Sequence, residues 1–208
     1  MDRVIDFKRE GLFYKYRSLK DLERFLSIII DKKLYGALYS EMNDPMEGYY
    51  QYDPTIDKRL IQGIFEGKQK RYICSLSKRG NIGLMWTHYC DENKGCCLEV
   101  EVTSKTWDKI EVSYEDQMPK LSPGMTAIDI LKVKAKMWKY EEEVRYISSE
   151  VPKGKRRPQL AVKIHRIFIG CNVDSSKKAH LKKIINALDK NIEVIMMHKT
   201  DLDYGFNR

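Results

Sequence analysis

A chain of 208 residues, 42% hydrophobic and 33% charged, is long enough to bury a core and too rich in charge to be an integral membrane protein. No apolar run reaches the roughly 20 residues that a bilayer-crossing helix needs, and Met1-Asp2-Arg3 does not open an apolar leader, so the chain is expected in the cytoplasm with no membrane partner. The net charge of +8 points toward polyanions, and five cysteines without a C-x-x-C pair point to reduced thiols.

In chain order, Leu12 to Arg17 is an aromatic-rich run with strand preference, and Ser18 stands where an N-cap would, with Asp21 three residues on. Leu22, Phe25, Leu26, Ile29 and Ile30 repeat at helical spacing and predict a core-facing helix. Leu34 to Leu38 reads as a second strand. Asn43-Asp44-Pro45-Met46-Glu47-Gly48 then carries turn chemistry, a loop either structural or covering a site. Leu60, Ile61, Ile64 and Phe65 predict a helix from Asp57 to about Gln69, weakened by Gly63.

Tyr72 to Ser77 reads as a strand with Ser75 and Ser77 on one face, two hydroxyls able to hold a neighbouring carboxylate. Leu84 to Tyr89 reads as a helical turn on which Trp86 and Tyr89 can share a face. In Cys96 to Val102, apolar Cys96, Leu98, Val100 and Val102 alternate with Cys97, Glu99 and Glu101, the pattern of a half-buried strand. Ile110 to Tyr114 suggests a hairpin, and Met118 to Gly124, with two prolines, is irregular. From about Met125 to Trp138, Ile128, Leu131, Ala135 and Trp138 fit one helical face, with Lys132, Lys134, Lys136 and Lys139 on others.

The densest chemistry is Trp138 to Ile147. As a strand, this segment puts Glu141, Glu143 and Arg145 on one face and Val144 and Tyr146 on the other. The arrangement fits a solvated edge strand with an internal ion pair, or a cleft in which a glutamate stabilises developing positive charge. After it, Lys153, Lys155, Arg156 and Arg157 form a cationic turn between strand-like runs, either a phosphate contact or a solvated hairpin tip. Leu160 to Ile169 reads as a strand, Ser175 as the cap of a helix through Leu188, and Ile192 to Met197 as a closing strand. The four histidines make no ligand-spaced set, so no metal site is expected. With no repeat or linker, the prediction is one α+β domain over residues 1–208, an antiparallel or mixed sheet flanked by helices.

Several of these segments together resemble a bacterial family catalogued as domain of unknown function 2971 (DUF2971). They are Leu12 to Arg17, Asn43-Asp44-Pro45-Met46-Glu47, Ser75-Leu76-Ser77, Leu84 to Tyr89 with Lys94-Gly95, Trp138 to Arg145, and Ile167 to Gly170. Their order also resembles the ADP-ribosyltransferase plan, in which an early strand offers a basic residue, a middle strand Ser-x-Ser and a late strand Glu-x-Glu. That resemblance implies an ADP-ribosyltransferase-like fold with NAD as substrate. Arg17, with Tyr16 beside it, would hold the dinucleotide. Ser75 and Ser77 would support the nicotinamide end and the glutamate, and Trp86 or Tyr89 would stack on a ring. Glu143 would stabilise an oxocarbenium-like transition state, and Glu141 would orient or deprotonate the attacking group. The basic balance makes RNA or DNA the expected acceptor, with a protein acceptor less favoured. A toxin-like or phage-defence activity of this kind implies an antitoxin partner. Two other classes stay open: a nucleic-acid-binding module whose Tyr14, Tyr16, Trp86 and Tyr89 stack on bases, and a metal-independent nuclease with His88 as base and Arg145 as phosphate clamp.

Overall fold

The computed structural model describes residues 5–148 and 157–205. Its elements are β1 (Phe13–Arg17), α1 (Leu22–Asp31), β2 (Lys33–Tyr35), β3 (Ala37–Leu38), α2 (Lys58–Gln69), β4 (Tyr72–Ser77), α3 (Gly83–Tyr89), β5 (Cys96–Val102) and β6 (Trp107–Glu111). There follow β7 (Ser113–Glu115), α4 (Ala127–Leu131), β8 (Val133–Ala135), β9 (Glu143–Ser148), β10 (Gln159–Ile169), α5 (Ser175–Leu188) and β11 (Glu193–Met196). Helices mix with mostly antiparallel strands, the α+β class that the sequence predicts. The chain forms two compact units, one of Met1–Leu34, Leu76–Ser104 and Ala161–Arg208, the other of Tyr35–Ser75 and Lys105–Leu160.

In the first unit the strands run in the order β11-β10-β5-β1. β1 lies antiparallel to β5 with Tyr14 opposite Glu99 and Arg17 opposite Cys96. β10 flanks β5 on the other side, also antiparallel, with a bulge between Ile164 and Arg166. β11 is parallel to β10, which α5 allows by carrying the chain back between them. The residues of β5 from Cys96 to Val100 are all buried, so the wet face that its alternation predicts is absent over that span. Glu99 is accommodated inside because Arg9, Tyr14 and Arg166 all donate hydrogen bonds to its carboxylate.

Both long helices of this unit are capped by an aspartate rather than by the expected serine. The Asp21 side chain accepts from the Arg24 amide at 2.9 Å, so the N-cap of α1 lies three residues after Ser18, whose own hydroxyl accepts from the Lys20 amide instead. Asp174 caps α5 by accepting from the amides of Ser176 and Lys177, which leaves Ser175 as the first helical residue. Phe25, Ile28 and Ile29 of α1 and Leu181 and Ile185 of α5 are buried, and the two helices touch. Each such side chain removed from water contributes roughly 1.5–3 kcal/mol. Ile30, expected in the core, is 62% exposed, because the buried stripe turns to Ile28 instead.

In the second unit β4 lies between β3 and β9, and β9 pairs antiparallel with β6 from Glu111 opposite Val144 to Trp107 opposite Ser148. β7 and β8 form a separate parallel pair. The Leu34 to Leu38 run is two strands rather than one, broken at Gly36, where a Cβ would lie 2.6 Å from the Trp107 ring. Ile64, Leu121 and Ile130 form one buried cluster here, and Ile73, Leu131 and Ile147 another.

Three further expectations fail in this unit. The helix predicted over Met125 to Trp138 is only α4, capped by a reciprocal pair of bonds between Thr126 and Asp129. The chain then goes extended as β8. The short strand expected over Ile110 to Tyr114 is divided between β6 and β7, and the hairpin it suggested does not form, since β6 pairs with β9 and β7 with β8. The acidic segment is not a strand throughout, since Lys136–Glu141 is a 3₁₀ turn and Glu142 is left-handed at φ 44° before β9 begins. Among the described residues, no helix is long and apolar enough to cross a membrane.

Candidate functional site

Glu143 and Arg145 stand two apart on β9 and so project to the same face, as the alternation predicts. That face is inside. Glu143 is 4% exposed and Arg145 fully buried, as are Val144 and Tyr146 on the other face. The Arg145 guanidinium donates through Nε to Glu143 Oε1 at 2.9 Å and through Nη2 to Glu143 Oε2 at 3.0 Å. Its Nη1 donates to the Leu131 carbonyl, and Nη2 donates to Glu47 Oε1. A guanidinium engaged through all three nitrogens is not a phosphate clamp in this arrangement.

Lys134 supplies the second cation. It was expected among solvated lysines of a helix, but on β8 its side chain turns inward and donates to Glu141 and, at 2.9 Å, to Glu143 Oε2. Its ammonium also lies 5.3 Å from the Trp138 ring centroid, over the face of the indole. The 3₁₀ turn ending at Glu141 and the left-handed Glu142 let both flanking glutamates meet one lysine, a convergence that a continuous strand would not need. The Glu143 amide donates to the Tyr114 hydroxyl at 2.7 Å, tying β9 to β7.

Glu47 arrives from the loop after β3. The Asp44 side chain accepts from the Met46 amide, and the Asp44 carbonyl from the Glu47 amide, closing a tight turn. Gly48 follows at φ 68°, where a Cβ would also meet the Tyr39 ring at 2.4 Å. The Tyr39 hydroxyl donates to the Glu47 carbonyl at 2.9 Å, and the buried Lys68 ammonium donates to the Gly48 carbonyl at 2.7 Å while lying over the rings of Tyr39 and Tyr50. With its backbone pinned in this way, Glu47 points at Arg145.

The electrostatics divide the carboxylates. Burial pushes the Glu143 pKa up, but the charges of Arg145 and Lys134 and the hydrogen bonds from Arg145 and Ser75 outweigh it and hold the value at about 2. For Glu47 burial wins over Arg145 and Lys134, and its pKa is raised. Glu47 Oε2 is buried with no hydrogen-bond partner among the described residues. The Lys134 pKa is raised in spite of its burial, by Glu143, Glu141 and Glu47.

Of the residues expected at a site, Ser75, Glu141 and Glu143 therefore meet in the second unit, where the half-buried Ser75 hydroxyl donates to Glu143 as its strand position suggests. Ser77 belongs to the first unit, buried opposite Tyr14, and its hydroxyl accepts from the Arg79 amide. Tyr16 and Trp86 also meet there, edge to face at 5.8 Å. Both are buried. The Tyr16 hydroxyl donates to the Arg79 carbonyl and accepts from the Ile82 amide, and the Trp86 indole donates to the Gly80 carbonyl. Tyr89 is half-buried against the edge of the exposed His88, and Arg17 ends β1 with its carbonyl packed on Gly95. Arg157 makes a two-pronged, exposed pair with Glu41, at 2.5 and 2.6 Å, whereas Lys153, Lys155 and Arg156 lie outside the described residues.

Sequence reasoning missed Glu47 and Lys134 as members of the cluster. For Lys134 a signal existed: Lys132, Lys134 and Lys136 alternate with Val133 and Ala135 at the period of a strand, which the helical reading passed over. Glu47 reaches Arg145 across 98 positions, and nothing local announces such a pairing. Among the described residues, no group of His, Cys, Asp and Glu side chains is placed to hold a metal ion. Comparison of the chain with protein-family models, with curated proteins and with solved structures finds no match in any of the three.

Proposed function

We propose that this chain belongs to the DUF2971 family, has an ADP-ribosyltransferase-like fold, and transfers ADP-ribose from NAD to a nucleic acid, as a cytoplasmic toxin-like or phage-defence effector restrained by an antitoxin protein. The observation that carries this reading is the Ser75 hydroxyl bonded to a Glu143 held ionised at about pKa 2. In such a transfer the bond between the nicotinamide nitrogen and the ribose C1′ breaks, the electron pair leaves with nicotinamide, and positive charge develops on the sugar. A carboxylate that stays charged through the physiological range and is oriented by fixed donors favours that charge electrostatically, without acting as a base. By resemblance Arg17 and Tyr89 would contact the dinucleotide, and by charge Lys153, Lys155, Arg156 and Arg157 would contact the nucleic acid.

A second reading is favoured by the closure of the same cluster. Glu143 and Arg145 are buried and satisfy one another, which is what a purely structural clasp in a nucleic-acid-binding module would look like. Incubating the chain with labelled NAD and RNA, DNA or cell extract separates the two. Label transferred by the wild type and lost in a Glu143→Gln variant that keeps its circular dichroism spectrum supports the transferase. A folded wild type that binds RNA or DNA and labels no acceptor overturns it in favour of the module.

A further inference from the structure

Arg145 faces two carboxylates that share it unequally. Glu143 takes Nε and one bond from Nη2, and has Lys134 and Ser75 as well. Glu47 receives only a single bond from the same Nη2, on Oε1. Its other oxygen is buried without a donor among the described residues. A full negative charge with half its surface neither solvated nor hydrogen-bonded is among the costliest arrangements a protein interior can hold, and a neutral carboxyl of the same shape costs far less. The backbone around Glu47 gives the side chain no escape to water, because Tyr39 and Lys68 pin the carbonyls of Glu47 and Gly48.

We propose that Glu47 is a proton-binding site: it holds a proton on Oε2 while Glu143, bonded to the same guanidinium, remains an anion. The groups that bear on it are Arg145 and Glu143 on β9, Lys134 on β8, Glu141 at the end of its 3₁₀ turn, Lys68 on α2, and Tyr39. Burial raises the pKa of Glu47 above its ordinary 4.5, whereas that of Glu143 sits at about 2, so two glutamates joined through one arginine are driven apart. Such a separation divides an acid from a permanent anion within one site. This assignment stands on the cluster alone and does not depend on the transfer reaction.

The sign of the linkage follows. A carboxyl with a raised folded-state pKa adds stability below its unfolded value, and loses that contribution as pH rises from about 4.5 through the folded pKa. The test is carbon-detected NMR of the glutamate side-chain carboxyls in the wild-type chain across pH. The Glu47 resonance is expected to titrate with a midpoint above the ordinary 4.5, while that of Glu143 stays at its ionised position until the pH approaches about 2. A Glu47 midpoint at or below 4.5 overturns the assignment, and this reading needs no variant to fold. Glu47→Gln supplies the second arm: the decline in urea-unfolding stability that sets in as pH rises above the ordinary 4.5 of Glu47 should disappear in the variant. A decline that persists unchanged in Glu47→Gln also overturns it.

Discussion

Each unit of this protein buries a glutamate against an arginine, and the two burials differ in kind. In the first unit Glu99 is a lone carboxylate met by more than enough donors. Arg9 serves Oε1, while Tyr14 and Arg166 serve Oε2, and the Arg9 side chain is 43% exposed, so the cluster keeps a route to solvent. In the second unit three carboxylates gather on Lys134 and Arg145, every member is buried, and one oxygen of Glu47 has no hydrogen-bond partner among the described residues. The first is a clasp: it ties Arg9 to β5 and β10, and the Arg166 guanidinium also holds the Asp6 carbonyl. The second is over-supplied with acid, and that excess makes it the better candidate for chemistry.

Removing one arginine from each side should expose the difference most strongly. Arg145→Met deprives Glu143 of its bidentate partner and Glu47 of the guanidinium that donates to it, and leaves buried charge uncompensated, for an expected loss of about 3–5 kcal/mol in urea unfolding. Arg166→Met leaves Glu99 bonded to Arg9 and Tyr14, and should cost about 1–3 kcal/mol. Equal losses in the two variants would erase the distinction between clasp and site.

Acid sharpens the same comparison with a smaller effect. Glu143 has a folded pKa of about 2 against an ordinary value of 4.5. Its folded pKa is depressed, so its contribution is present above the unfolded value and is lost as pH falls from about 4.5 toward about 2. Across that window its share is about 3 kcal/mol, since each pKa unit corresponds to about 1.4 kcal/mol. Glu143→Gln should flatten this acid limb of the stability curve and lower the plateau above it.

What could be read from the chain beforehand follows the range of the interactions. Apolar periodicity located α2, β4, α3, β10 and α5 closely, because burial of a stripe is written into neighbouring residues. The Ser75 contact with Glu143 was legible as two hydroxyl positions on a strand able to hold a carboxylate. The inward Lys134, the buried Glu99 and the arrival of Glu47 were not, because each is a polar residue whose burial depends on partners brought from distant segments. A charged residue is normally a surface residue, and only tertiary pairing reverses that expectation. Trp86 is the opposite case: the aromatic that the resemblance would stack on a ligand is buried, with its ring against Tyr16 and its indole N–H on the Gly80 carbonyl.

The smallest expected effect concerns the pair that resembles neither cluster. Arg157 and Glu41 are bound through two hydrogen bonds, yet both side chains are well exposed, at 46% and 38%. Water and salt screen such a pair, so Arg157→Ala should change unfolding stability by less than about 1 kcal/mol. Its effect on polyanion binding should depend on Glu41, which now occupies the guanidinium. Glu41→Gln frees that cation and removes a repelling charge, and should raise RNA affinity severalfold at low salt, with a steeper dependence of log affinity on log salt by about one counterion. Adding Arg157→Ala to Glu41→Gln should then lower affinity again and return the slope toward that of the wild type. A double variant that binds as tightly and as salt-sensitively as Glu41→Gln alone would show that Arg157 contacts no phosphate, which would remove it from the proposed nucleic-acid contacts.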